Sequence, residues 1–159
     1  MSRIADRSPM PAMFMIWPEG RDAMIAVDAR CEAEGLSPAL LELVRLWCSV
    51  LNQCRFCIAM HGDKALAAGL SPALVDDIAA GNAPAGLNAE ERAVLALATA
   101  LTQLDDPASL QDARKAMAPH YDARQTAVLS YAIAQINAWN RLALVSDTGD
   151  QVDSLTVLS

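Results

Sequence analysis

The chain predicts an all-α fold of six or seven helices, and three observations carry that prediction. Alanine and leucine dominate a sequence that is 53% hydrophobic but only 4% aromatic, a composition suited to close-packed helices rather than a sheet. Helix-start signals recur at Ser37-Pro38, Ser71-Pro72, Asn88-x-x-Glu91 and Asp122-x-x-Gln125, and stop signals at Gly35, Gly69 and Gly81. No stretch alternates apolar and polar residues as a half-buried strand does.

Taken in order, the chain opens with an apolar stretch, Met10 to Trp17, that follows two arginines as a leader would. Pro9, Pro11 and Asp6 interrupt it and no small-x-small site follows, so residues 1–18 are expected to form an extended arm packed on the domain or on a neighbouring subunit. Residues 19–145 are expected to be the helical domain. Its first helix runs from Glu19 to Glu34, with Ala23, Ile25, Val27 and Ala29 among charges, and ends at Gly35. Ser37 and Pro38 open the next as N-cap and N1, with Leu40, Leu41, Val44, Trp47, Cys48 and Leu51 as its apolar stripe and Glu42 on it. Asn52 is a favoured N-cap for a third helix from Gln53 to about Ala68. A short helix follows from Ser71-Pro72 to about Ala80, then a Gly-, Pro- and Ala-rich loop. Asn88-x-x-Glu91 is a capping box for a helix to about Leu104, and Asp105-Asp106-Pro107 breaks the chain before another to about Ala118. The longest helix runs from Ala123 to about Val145, with Ala127, Val128, Tyr131, Ala134, Ile136 and Trp139 expected in the core. Residues 146–159 read as a polar tail with a short apolar end.

Composition excludes several functions. A net charge of −7 argues against nucleic acid or an anionic membrane as partner, since both require a basic face. No apolar run reaches the roughly 18 residues of a membrane span. Glycine-rich phosphate loops and Ser-centred elbows are absent. The apolar content exceeds what a small monomer easily buries, so a homo-oligomer is expected. Four cysteines without a secretory leader point to a reducing, cytoplasmic setting, where a CxxC is redox-active or metal-binding more often than structural.

The chemistry is concentrated in Cys54-x-x-Cys57-x-x-x-His61. On a helix these three side chains share one face, and Cys57 and His61 are i,i+4 neighbours. At a helix start, unpaired N–H groups and the macrodipole favour thiolate. Cys57 is then a nucleophile beside a base, and Cys54 is close enough to condense with its sulfenic acid before over-oxidation. Glu42 lies 12 residues before Cys54; one unbroken helix would put about 18 Å of rise between them. A turn near Asn52 would instead return Glu42 to His61, where it would hold the imidazole tautomer.

Blander readings are available for each group. Two cysteines and a histidine also suit zinc, with Glu42 or His120 as fourth ligand, although three ligands along one helix make a poor tetrahedron. The pair could also be inert core thiol. Cys31 and Cys48 read as small buried hydrophobes, and His120 as a surface or capping residue. Asn137, Trp139 and Asn140 read as packing and interhelical hydrogen bonding, and the Met-rich arm as adaptable packing.

Glu42-x11-Cys54-x-x-Cys57-x-x-x-His61 resembles the AhpD-like alkylhydroperoxidase branch of the carboxymuconolactone decarboxylase family. Glu42 to Leu46, Ala65 to Gly69 and Ile136 to Leu142 resemble further family blocks, so the likeness covers roughly residues 10–145. The resemblance implies a helical subunit that assembles as trimer, dimer or hexamer. It implies Cys57 as peroxidatic thiol, Cys54 as resolving thiol, and Glu42 and His61 as proton relay. The substrate would be a hydroperoxide, no bound cofactor would be needed, and electrons would come from an external dithiol or redox carrier protein. AhpD itself has a further histidine between the cysteines, where this chain has Phe56; Gln53 replaces a frequent Gly, Ala59 a frequent Asp, and Trp47-Cys48 a basic and small pair. Two alternatives are a muconolactone decarboxylase, whose family members typically lack the CxxC, and a non-enzymatic redox sensor or partner-binding module that oxidises once and stops.

Overall fold

The computed structural model describes residues 10–146, and among these it contains eight helices and no strand. They are α1 (Met13–Ile16), α2 (Pro18–Glu32), α3 (Pro38–Leu51), α4 (Arg55–Ala67), α5 (Pro72–Ala79), α6 (Ala89–Gln103), α7 (Pro107–Met117) and α8 (Ala123–Ser146). Seven answer to the sequence reading. The eighth, α1, corrects it: within the described part of the arm, Met13–Ile16 form a helical turn rather than an extended segment. Pro11 starts the turn by accepting the Phe14 N–H, and Pro18 then occupies the first position of α2. Residues 1–9 of the arm, and the tail beyond Ser146, lie outside the described residues.

The helix boundaries follow local chemistry. Ser37 and Ser71 each accept a backbone N–H three residues on, ahead of Pro38 and Pro72. Asn88 and Glu91 form the reciprocal capping box, both bonds at 2.9 Å. Asp122 and Gln125 exchange the same pair of bonds at the head of α8, at 2.7 and 3.0 Å.

α3 is the central element. Leu41, Leu43, Val44, Leu46, Cys48 and Ser49 are all buried, so it is covered on every side rather than along the single stripe its periodicity suggests. It packs against α4, α5, α6 and α8; α1 and α2 lie on α8, and α7 on α6. The core face of α8 is Leu129, Ala132, Ile133, Ile136, Asn140 and Ala143. Of the residues expected there, Ile136 is buried, Val128 and Trp139 are partly so, and Tyr131, Ala127 and Ala134 face outward. Alanines lie all around this helix, so its hydrophobic phase is weakly written and tertiary packing selects it.

The junction between α3 and α4 also differs from the sequence reading. Asn52 is not the N-cap of α4 but the C-cap of α3. Gln53 follows in the left-handed region at φ 56°. The Cys54 N–H reaches Ser49 O and the Gln53 N–H reaches Val50 O, both at 3.0 Å, closing a Schellman turn. This reversal folds α4 back along α3. It leaves Cys54 itself as the N-cap of α4.

Candidate functional site

Cys54 and Cys57 form a disulfide, with Cα atoms 5.2 Å apart across the first turn of α4. The Cys57 N–H donates to Cys54 Sγ at 3.3 Å, so the helix-terminus field acts most directly on Cys54. Both residues are buried, at 2% and 1% exposure. Their cover is apolar: Phe14 of α1 and Ala143 of α8 form one cluster with the sulfurs, flanked by Phe56, Trp139 and Leu142. Phe14 meets Trp139 edge to face at 4.9 Å and Phe56 at 6.1 Å.

Glu42 reaches His61 because α3 and α4 pack side by side. His61 Nδ1 lies 2.7 Å from Glu42 Oε2, and both residues are buried. Glu42 Oε1 accepts from Arg45 Nη1, also at 2.7 Å. Burial pushes the Glu42 carboxyl up, but the His61 hydrogen bond and charge, joined by those of Arg45, outweigh it and hold the group below its ordinary range. Burial lowers His61 more than Glu42 raises it, so the imidazole is held below its usual value. An ionised carboxylate only accepts, so Nδ1 of neutral His61 carries the proton and Nε2 is left as the basic nitrogen.

The hydrogen-bonded network around Glu42 extends beyond the residues the sequence singled out. Arg45 Nη1 also donates to Glu32 at 2.9 Å, and its Nη2 lies 3.8 Å from Asp28 Oδ1. Nη2 is buried without a hydrogen-bond partner among the described residues. Asp28 accepts the indole N–H of Trp139 at 2.7 Å. The Glu42/Arg45 spacing of three on one helix was a legible signal; nothing local marks Asp28 or Glu32, which arrive from α2. Beneath the turn, Asn52 donates to the side-chain oxygens of Asn137 and Asn140 at 2.8 and 2.9 Å, and Asn140 donates to Ser49 at 3.0 Å. The interhelical hydrogen bonding expected of Asn137 and Asn140 takes the form of a network that pins the Cys54 turn to α8, and Trp139 is tied to Arg45 through Asp28.

A cavity of about 390 Å³ opens onto this constellation. Cys57 and His61 share its wall with Asp28 and Arg45, Phe14, Phe56, Met60 and Trp139 supply apolar surface, and Lys64 and Arg21 add positive charge. A second cavity of about 810 Å³ between α6, α7 and α8 is larger but is lined by none of Cys54, Cys57, Glu42 or His61. His120, between α7 and α8, lines neither. Among the described residues no three His, Cys, Asp or Glu side chains are placed to share a metal ion. Cys31 and Cys48 are buried free thiols, and burial pushes Cys48 up to about 12.

The chain is similar in sequence and fold to known proteins. The chain is 28% identical over 131 residues to the uncharacterised protein YdfG of Bacillus subtilis (strain 168), a match covering 82% of this chain and 89% of YdfG. Its fold resembles the crystal structure of ATU0492 from Agrobacterium tumefaciens, a protein of unknown function proposed to be the antioxidant defence protein AhpD. That likeness has a TM-score of 0.77 and 26% identity, over 85% of this chain and 92% of the other. The family description of the carboxymuconolactone decarboxylases matches residues 18–100, just over half of the chain. With a CxxC pair bonded at the head of a helix that packs on its Glu partner, the chain belongs to the carboxymuconolactone decarboxylase family and is AhpD-like within it.

Proposed function

We propose that this protein reduces hydroperoxides through a Cys54–Cys57 dithiol/disulfide cycle. The observation that carries the reading is that Cys57 shares a cavity wall with His61, whose Nδ1 is committed to Glu42, while Cys54 is bonded to Cys57. In the reduced protein, His61 Nε2 takes the Cys57 thiol proton and the thiolate attacks the terminal peroxide oxygen. The O–O bond breaks, the leaving alkoxide takes the proton from the imidazolium as alcohol, and Cys57 becomes a sulfenic acid. Cys54 then attacks the Cys57 sulfur, hydroxide departs as water with the Cys54 proton, and the disulfide forms. An external dithiol restores both thiols through a mixed disulfide. The sum is dithiol plus ROOH to disulfide plus ROH and water.

In this reading Cys57 is peroxidatic, Cys54 resolving, and Glu42 the positioning residue that holds the His61 tautomer. Residues 19–145 act as the catalytic domain of a cytoplasmic homo-oligomer. Exposed Met15 and Ile16 on α1, Trp17 just after it, and Leu104 and Tyr131 elsewhere supply apolar surface for assembly. No helix among the described residues is long and apolar enough to cross a membrane.

A sensor reading has one observation in its favour: Phe14 of α1 belongs to the same buried cluster as Cys54 and Cys57, so a change in their oxidation state would be felt by α1. The test is stopped-flow oxidation of reduced protein by cumene hydroperoxide and by hydrogen peroxide, followed by turnover with dithiothreitol. Wild type should lose two mass units and turn over, Cys54→Ser should trap a sulfenic acid, and Cys57→Ser should not react. Oxidation no faster than that of a free thiol sinks the peroxidase reading, and a single oxidation without turnover favours the sensor.

A further inference from the structure

We propose that Asp28 is a positioning residue for the relay, its carboxylate setting the proton affinity of His61 through the shared Arg45. Asp28 comes from α2, not from the α3–α4 pair that carries the motif, and lines the same cavity as Cys57 and His61. Its two oxygens are used differently. Oδ2 is held by the Trp139 indole at 2.7 Å, and Oδ1 lies 3.8 Å from the buried Arg45 Nη2, which has no hydrogen-bond partner among the described residues. One guanidinium is thus divided among Glu42, Glu32 and Asp28.

That division bears on His61. If Asp28 lost its charge, Arg45 would act on Glu42 and on the imidazole with less opposition, and both effects favour neutral His61. The charged groups around the imidazole and its cavity are Arg21, Asp28 and Glu32 from α2, Glu42 and Arg45 from α3, and Lys64 from its own helix; α1 brings no ionisable side chain. Burial raises the Asp28 carboxyl above its ordinary value, partly offset by Trp139 and Arg45, and the charge on His61 acts on it as well. Coupling of this kind is reciprocal. Trp139 gives the arrangement a second tie, because its ring also meets Phe14 in the cluster that holds the cysteines.

The chain has two histidines, so imidazole NMR reads the effect directly, with His120→Gln assigning the signals. In Asp28→Asn, which keeps an oxygen for the Trp139 indole, the His61 midpoint should fall by about half a unit or more, roughly a threefold loss of proton affinity. Asp28→Glu should restore most of it. In the wild-type protein the Asp28 carboxyl carbon should show an inflection at the His61 midpoint, a readout that needs no variant to fold. An unchanged midpoint in folded Asp28→Asn, a wild-type carboxyl signal without that inflection, or an imidazole that takes no proton down to about pH 4.5 would each overturn the proposal. The inference rests on the peroxidase reading only for its kinetic counterpart, a matching downward shift in the acid limb of the peroxide-oxidation rate. A shifted imidazole in a protein that reduces no peroxide would sink that reading and leave Asp28 in this role.

Discussion

Glu42→Gln separates the electrostatic account of the relay from a purely structural one. Glu42 accepts one hydrogen bond from Arg45 and one from His61, both at 2.7 Å and both buried. Glutamine keeps one acceptor oxygen and turns an amide N–H toward the other donor, so one bond is lost and the Arg45 charge loses its nearest counter-ion. Breaking a buried pair from one side costs about 3–5 kcal/mol, and the retained oxygen brings the expected loss at pH 7 to about 2–3 kcal/mol. The pH dependence has a definite sign. The folded Glu42 pKa is depressed below 4.5, so its contribution is complete above that pH and disappears as pH falls through the lower folded value. His61 is also depressed, below 6.5, although Glu42 raises it, so under that pH both proteins lose stability as the unfolded imidazole takes up a proton, and the variant, lacking Glu42, loses more. Urea unfolding at pH 7, 5 and 3.5 should therefore show a gap between the two proteins that holds or widens from pH 7 to 5 and then shrinks below pH 4.5. Loss of the correct tautomer should also slow peroxide oxidation about 100-fold. No stability gap at pH 7, or one that is constant down to pH 3.5, would refute the ionised Glu42 on which the relay depends.

Gln53→Gly should stabilise the protein by about 0.5–1 kcal/mol, because relief of about 1–2 kcal/mol of left-handed strain at φ 56° exceeds the extra chain entropy of glycine; thermal unfolding measures it, and no gain would refute the strain. Phe14→Ala should speed reduction of the Cys54–Cys57 bond by dithiothreitol at least about tenfold, since lost packing on α1 raises the population of the uncovered disulfide. An unchanged rate would mean that reductant enters without α1 moving. In the oxidised protein, iodoacetamide at pH 8 should leave Cys31 and Cys48 unmodified in the native state and label both in urea, because burial raises both thiols, Cys48 to about 12. Native labelling at free-thiol rates would contradict that burial.

The helical class, seven of the helices and the CxxC-His group were legible because they rest on local chemistry. Caps such as Asn88/Glu91 and stops such as Gly69 act within four residues, and Cys54, Cys57 and His61 lie within two turns of one helix. The cap of α4 was misplaced because Asn52 suits a C-cap network as well as an N-cap, and a left-handed Gln53 is not a residue that propensity selects. The phase of α8 was misjudged because its alanines leave several faces equally apolar, and contact with α3 and α6 decides among them. Local pattern thus determined the bonded cysteine pair, the histidine on the same helix and the kind of fold that carries them. Only the packing of α1, α2, α3, α4 and α8 decided that Glu42 meets His61, that Asp28 and Glu32 share Arg45, and that Phe14 clusters with the two cysteines. Buried charges and ring contacts between distant segments are set by which helix faces meet, and that is a property of the whole core.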